Sequence, residues 1–327
     1  MDFSIYLRVA IALLGGAIFV GSATGQIRPS KTLPTPSITP NPQPAEDAVK
    51  ISTSLVDIPV SVFDKDRFFV PGLTNEDFQI FENGVLQKTE YFADTEQPFT
   101  VVLLLDLSGS MQRNIQEIKA ACLAFIDKLK PNDKITVITF NEEIRVLNRD
   151  MTDREALRKE IKKLSAPQRG TLLYPAVETV SARFMSRING RKALILFTDG
   201  IDMTRTMIGG VEPRSNYRTS LQEAVKSSSL VFCVQYTNES PATANQSQSL
   251  KYVANDYLDD LAKLTGGRVF SGGLSRSFLS VAEELRHRYS IGYYPEPPAK
   301  RNEIRKIEVK LKQPGFMINA REFYIGR

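Results

Sequence analysis

The residues best suited to chemistry follow an apolar run from Val101 to Leu105, in the motif Asp106-x-Ser108-x-Ser110. The apolar run is typical of a strand buried on both faces of a parallel sheet, and a helix is predicted directly after the motif. Open α/β sheets bind ligands at the carboxyl ends of their strands, so the motif delivers one carboxylate and two hydroxyls to that edge. All three are hard oxygen ligands, which suit Mg²⁺ before Ca²⁺.

The motif alone is weak evidence for a metal site, because short polar strings at strand ends commonly cap helices. Two later segments strengthen it. Gly170-Thr171 precedes a helical segment and offers one more hydroxyl, and a second apolar strand from Leu194 to Phe197 is followed by Asp199. Together the three pieces resemble the metal-ion-dependent adhesion site of the von Willebrand factor type A domain. That family's pattern is Asp-x-Ser-x-Ser, then a Thr, then an Asp at the end of a later strand.

The resemblance implies a complete set of five metal ligands: Asp106, Ser108, Ser110, Thr171 and Asp199. Mg²⁺ is the implied cofactor, with Ca²⁺ and Mn²⁺ as alternatives. Thr171 would bind directly in the ligand-bound state, and Asp199 would act through water. The implied partner is a protein that fills an open coordination position with an exposed Asp or Glu. Relatives often carry Asp where this chain has Pro175, but proline is well tolerated in the first turn of a helix.

Strands and amphipathic helices alternate between about Pro98 and His287, which predicts a doubly wound, mostly parallel sheet flanked by helices. Thr152-x-x-Glu155 predicts a capping box at the start of one helix. Before and after this region the apolar residues alternate with period two, and Asn83-Gly84 predicts a hairpin. We therefore expect the α/β domain to be inserted in a small β-sandwich formed by both ends of the chain.

The N-terminal segment predicts export. Arg8 precedes a short apolar core that ends at Val20, and small residues follow up to a predicted cleavage site after Gly25. The apolar run is too short for a spanning helix, although an uncleaved N-terminal anchor is the alternative. The expected organisation is a signal peptide at 1–25, a Pro-rich linker at 26–48, the first half of the β-domain at 49–97, the von Willebrand factor A-like domain at 98–288, and the second half of the β-domain at 289–327. The whole order resembles exported bacterial von Willebrand factor A-related proteins, which places the chain in the periplasm, in the medium or at the cell surface.

Composition narrows the partners. Apolar residues make up 42% of the chain and charged residues 24%, and the net charge of +5 is spread among interleaved acids rather than gathered in blocks. This pattern indicates solvated helix faces and no nucleic-acid surface. The two cysteines, Cys122 and Cys233, fall on a helix face and in an apolar strand, so two buried thiols are favoured over a disulfide. His287 is the only histidine, and a structural role is favoured for it.

The leading hypothesis is an exported, metal-dependent protein-binding module, and not an enzyme. The alternatives are a structural envelope protein with a stabilising metal and, less favoured, a phosphoryl-transfer or hydrolytic enzyme. The sequence contains no Gly-x-x-x-x-Gly-Lys-Ser/Thr loop, no Gly-x-Ser-x-Gly elbow and no histidine placed as a base for Ser108. The candidate rim loops lie around Asp202 and Asn238, within the long segments 201–218 and 237–254. Asp202 either adds charge beside the metal or, as we favour, faces solvent.

Overall fold

The computed structural model describes residues 55–94, 98–167, 169–203, 216–236 and 248–326. Residues Ile51–Arg327 form one compact unit. The predicted signal peptide, the Pro-rich linker and Asn238 lie outside the described residues. None of the helices in the described ranges combines the length and the hydropathy needed to cross a bilayer.

A six-stranded sheet forms the centre of the unit. Its strands are β5 (Thr100–Asp106), β6 (Lys134–Phe140), β7 (Ile144–Val146), β8 (Lys192–Thr198), β9 (Leu230–Gln235) and β10 (Val269–Ser271). The order across the sheet is β10-β9-β8-β5-β6-β7, and every neighbouring pair is parallel except β6 with β7. The predicted mostly parallel sheet is confirmed. The apolar runs at its centre are fully buried because helices cover both faces.

In the described ranges, six helices cover the sheet, three on each face. They are α1 (Ile115–Lys128), α2 (Arg154–Lys163), α3 (Leu173–Arg183), α4 (Tyr217–Lys226), α5 (Gln248–Thr265) and α6 (Leu274–Arg286). Alternate residues of β5 point to opposite sides. Val101, Leu103 and Leu105 pack with α1, α2 and α6, whereas Val102 and Leu104 pack with α3, α4 and α5. The two separate apolar clusters define the doubly wound arrangement that the alternating pattern predicts.

The two ends of the chain together build a β-sandwich, as predicted. Its strands are β1 (Val56–Phe63), β2 (Phe78–Glu82), β3 (Val85–Gln87), β4 (Tyr91–Ala93), β11 (Tyr289–Tyr293), β12 (Ile304–Leu311), β13 (Met317–Asn319) and β14 (Phe323–Ile325). They form two four-stranded antiparallel sheets, β13-β1-β11-β4 and β14-β12-β2-β3, which share one apolar core. Asn83 and Gly84 join β2 to β3 with φ of 49° and 84°, the geometry of the predicted hairpin turn.

A buried carboxylate ties the two sheets of the sandwich together. Glu82 on β2 is 4% exposed, and its Oε1 accepts a hydrogen bond from Arg305 of β12 at 2.6 Å. Its Oε2 accepts bonds from the hydroxyls of Tyr293 (2.6 Å) and Tyr324 (2.8 Å). Tyr293 belongs to the opposite sheet, so one charged group with all its partners fixes how the sheets face each other.

Three local predictions have different outcomes. Helix α2 is capped by Asp153, whose carboxylate accepts the backbone N–H groups of Glu155 and Ala156, so the predicted cap at Thr152 is wrong by one residue. The second predicted rim loop, 237–254, is shorter than expected because α5 already begins at Gln248. Both cysteines are buried free thiols, as predicted, and burial raises the pKa of Cys122 to about 12.

Candidate metal centre

The predicted site lies at the point where the winding of the sheet reverses. From β5 the chain crosses to β6 on one side, and it later returns to place β8 on the other side of β5. The carboxyl ends of β5 and β8 therefore flank the topological switch point of the sheet, which is where open α/β sheets bind ligands. Asp106 is the last residue of β5, and Asp199 follows directly after β8.

Asp106 is fully buried and held from two sides. Its Oδ1 accepts the backbone N–H of Ser108 at 2.9 Å, and its Oδ2 accepts the hydroxyl of Thr198 at 2.7 Å. The Thr198 hydroxyl in turn accepts the N–H of Gly200 at 3.0 Å. These bonds join the end of β5 to the turn after β8, so the rotamer of Asp106 depends on a residue 92 positions away in sequence.

Ser108, Ser110 and Asp199 belong to the same network. The hydroxyls of Ser108 and Ser110 are 3.1 Å apart, and Ser110 also bonds to the carboxylate of Asp199. Asp199 Oδ1 accepts the N–H of Ile201 at 3.0 Å. The turn is narrow: Gly200 has φ of +83°, and an added Cβ would lie 3.0 Å from the Cβ of Ala254 on α5. Glycine is required there both by the backbone conformation and by the close approach.

Thr171 is joined to this network through the backbone. It is 4% exposed and directly precedes Leu172, the N-cap residue of α3. Its carbonyl accepts the N–H of Met203, and the carbonyl of Arg169 accepts the N–H of Gly109 in the Asp106 motif, both at 2.9 Å. The structure thus brings the loops that carry all five predicted residues together at one edge of the sheet.

Two carboxylates that the sequence reasoning did not assign hold the Thr171 loop. Glu142 accepts the backbone N–H of Gly170 at 2.9 Å, and the adjacent Glu143 pairs with Arg169 at 3.0 Å. Both glutamates lie in the turn after β6, the strand next to β5. Nothing in their spacing marks them, because the contact joins segments 28 residues apart.

Asp202 caps a helix, a role that was not predicted for it. The N-cap residue of α3, Leu172, provides no side-chain acceptor, and Asp202 Oδ1 instead accepts the backbone N–H of Tyr174 at 3.1 Å. The first turn of a helix leaves N–H groups without intrahelical partners, and a carboxylate there is favourable both as an acceptor and as a charge. Pro175 lies in the same turn and leaves the helix intact, as expected.

The electrostatics of the site match a cation. Burial and, second, the negative charge of Asp199 together raise the pKa of Asp106 to about 7, against hydrogen bonds from Ser108 and Thr198. Burial also raises the pKa of Asp199, against hydrogen bonds from Ile201 and Ser110. Within the part of the chain that the structure describes, no lysine or arginine contributes to either pKa. A buried carboxylate and a half-buried one that repel each other, beside hydroxyl oxygens, form a donor set that would suit a hard divalent cation.

Within the described ranges, no group of three or more His, Cys, Asp or Glu side chains has metal-binding geometry. The predicted donor set differs from such a group, because it has two carboxylates and its other donors are serine and threonine hydroxyls. The single histidine lies near the amino ends of the strands, at the end of the sheet opposite the candidate site. His287 lines a cavity with Phe99 and Asp133, which directly precede β5 and β6, so it borders the amino ends of the strands.

Comparison with known proteins supports the resemblance of the α/β segment to the von Willebrand factor type A domain. Residues 101–201 match the sequence model of the von Willebrand factor type A domain. That span contains all five predicted metal-site residues. The uncharacterized protein sll0103 of Synechocystis sp. is 33% identical over 76 residues, which is 22% of this chain and 18% of that protein. The aligned stretch thus spans under a fifth of the length of that curated relative.

Several solved structures resemble the chain at low identity. A von Willebrand factor type A protein from Catenulispora acidiphila has 15% identity and a TM-score of 0.45, over 85% of this chain and 75% of that one. Proximal thread matrix protein 1 of the mussel byssus, solved with a zinc-occupied metal-ion-dependent adhesion site motif, has 15% identity and a TM-score of 0.47, over 62% and 49%. The von Willebrand factor domain of the pilus tip protein Mfa5 from Porphyromonas gingivalis has 14% identity and a TM-score of 0.45, over 58% and 95%.

Proposed function

We propose that this chain is an exported protein-binding module that grips an acidic residue of a partner through a Mg²⁺ ion. The observation that carries the proposal is the network at the switch point. It joins the buried carboxylate of Asp106 and the half-buried carboxylate of Asp199 to the hydroxyls of Ser108 and Ser110. The proposed ligands are these four groups and Thr171, with Ca²⁺ and Mn²⁺ as alternative cations.

The chemistry of the donor set explains the choice of partner. A divalent cation held by two carboxylates and three neutral hydroxyls has no excess of negative charge from the protein, so a further anionic ligand is favourable. Ser110 is exposed, whereas Asp106 and Ser108 are buried, which opens the site toward the side of Ser110. A carboxylate of a partner protein would approach from that side.

Binding is favoured over catalysis by what surrounds the candidate nucleophile. The hydroxyl of Ser108 is paired with the hydroxyl of Ser110, which is not a base. The carboxylate of Asp106 accepts the backbone N–H of Ser108 and the hydroxyl of Thr198. A histidine base is not within reach, because His287 borders the opposite ends of strands that are about 20 Å long. The export of the chain is part of the proposal and depends on residues 1–25.

Panning a peptide library displayed on phage tests this function. The full chain is immobilised, binding is carried out in Mg²⁺, and bound phage are eluted with EDTA. We expect enriched peptides to share an Asp or Glu whose replacement by Asn or Gln abolishes binding. Asp106→Ala should lose the peptides while remaining folded, and Glu308→Gln, on the exposed side of β12, should keep them. Enriched peptides without a common acid, or binding that persists in EDTA, would overturn the proposal.

A further inference from the structure

A second candidate ligand site lies where the sandwich meets the amino ends of the central sheet. A cavity of about 20 Å³ is lined there by Pro59 and Ser290 from β1 and β11 and by three basic residues, Arg191, Lys192 and Arg288. This volume is sufficient for one particle of the size of a water molecule or a chloride ion. Arg288 lies at the junction where the chain leaves α6 and enters β11.

Arg288 carries donors without acceptors. Its side chain is fully buried, and its Nη2 donates to the carbonyl of Gly266 at 3.1 Å and to Glu284 at 2.8 Å. Among the described residues, its Nε and Nη1 have no hydrogen-bond partner. A guanidinium always carries its charge, and buried donors are nearly always paired, so these two groups point to a ligand.

The charges around Arg288 do not balance. Glu284 is its carboxylate partner, but the same carboxylate also pairs with Arg268 at 3.0 Å. One negative charge thus serves two guanidinium groups. Arg191 has acidic neighbours of its own: burial and then the positive charge of Arg288 lower its pKa, whereas Asp57 and Asp133 raise it.

Arg191 and Lys192 donate to backbone carbonyls beside the cavity, and the hydroxyl of Ser290 donates to the carboxylate of Asp57. Arg191 donates to the carbonyl of Leu285 at 3.3 Å, and Lys192 donates to the carbonyls of Met185 and Ile188 at 2.7 and 2.9 Å. No carboxylate lines the cavity within the described residues. A water molecule could accept the N–H groups of Arg288, but it would leave the excess positive charge in place.

We propose that this cavity binds one small monovalent anion, with chloride as the physiological candidate. The anion accepts the Nε and Nη1 donors of Arg288 and neutralises the charge that Glu284 shares with Arg268. Because strands of the sandwich and of the central sheet both border the cavity, anion binding stabilises the packing of one against the other. The site is separate from the proposed metal centre, which lies at the carboxyl ends of the strands.

Thermal melting of the full chain in EDTA provides the first test. Sodium chloride is compared with sodium gluconate at the same ionic strength of about 0.15 M, since gluconate is too large for the cavity. We expect a melting temperature about 2–4 °C higher in chloride. Arg288→Met should abolish the difference, and Arg301→Met, at an exposed position, should leave it unchanged. Equal melting in the two salts would refute the proposal.

A crystal of the wild-type chain soaked in sodium bromide gives a readout that does not depend on how well the Arg288 variant folds. An anomalous peak within hydrogen-bond distance of Arg288 Nε and Nη1 would support the anion. Density for a neutral water without an anomalous signal would overturn the proposal.

Discussion

Replacing Asp106 by Asn should stabilise the metal-free protein at neutral pH and abolish its response to Mg²⁺. The substitution keeps the shape of the side chain and its contact with Ser108, but the proton of the Thr198 hydroxyl loses its acceptor, which offsets about 1 kcal/mol of the gain. The Asn oxygen can accept the N–H of Ser108, and its amide can donate to the Thr198 hydroxyl, which already accepts from Gly200. What changes is the charge. Asp106 must ionise in a fully buried position, whereas Asn stays neutral at every pH.

The size of the effect follows from linkage. The folded, metal-free protein has an Asp106 pKa of about 7, against about 3.9 in an unfolded chain. A carboxyl whose pKa is raised by folding stabilises the folded state least when it is ionised. Stability is therefore lost as the pH rises through this window, by on the order of 4 kcal/mol in total and roughly 3 kcal/mol between about pH 5 and 8. For a domain of this size the change corresponds to roughly 5–10 °C in melting temperature.

The assay is thermal melting of wild type and Asp106→Asn in EDTA and in Mg²⁺ across this pH range. In EDTA, the wild type should fall relative to the variant as the pH rises. Saturating Mg²⁺ should restore the wild type, most strongly at the higher pH where protons do not compete, and should leave the variant unchanged. Glu308→Gln, an exposed change on β12, should follow the wild type. Parallel melting of wild type and Asp106→Asn in EDTA would refute the electrostatic reasoning, and a Mg²⁺ response in the variant would refute the ligand assignment.

Other substitutions separate the site from the scaffold. Glu142→Ala removes the acceptor of the Gly170 N–H and should weaken Mg²⁺ binding about two- to fivefold, measured by calorimetry, with little change in stability because the glutamate is exposed. Gly200→Ala places a Cβ 3.0 Å from Ala254 at a positive φ and should destabilise the protein by about 1–3 kcal/mol in urea titrations; unchanged stability would contradict the tight turn. Glu82→Ala removes the buried acceptor of two tyrosine hydroxyls and of Arg305, which keeps its pair with Glu303. It should cost about 2–4 kcal/mol, while the Mg²⁺ response of whatever remains folded stays intact.

The architecture was predictable because the local periodicity of apolar residues indicates which segments form strands and which form helices. Apolar runs such as Val101–Leu105 can only be buried on both faces, and helical stripes between such runs require a doubly wound sheet. The period-two segments at both ends predict strands that need other strands to pair with, and neither set is large enough to form a core alone. Pairing between the two sets was therefore the simplest arrangement. The hairpin at Asn83-Gly84 followed from the positive φ values that these residues tolerate.

Boundaries were less predictable than elements. Thr152 and Asp153 are both good N-cap residues, and the spacing to Glu155 favoured the first of them. The structure uses Asp153, since burial of Leu157 and Ile161 against the core sets the rotation of α2 and therefore where its first turn begins. Local propensity offered two solutions, and packing selected one of them.

The sequence by itself determined the chemical types at the candidate site, because a strand that ends in Asp106-x-Ser108-x-Ser110 must present hard oxygen ligands at the edge of the sheet. Only the tertiary structure decided what holds those ligands in place. Thr198 reaches Asp106 across 92 residues and Glu142 reaches Gly170 across 28, and no local pattern records such contacts. The same holds for Glu284, which pairs with both Arg268 and Arg288. Burial and long-range proximity of these charges depend on how the whole chain packs.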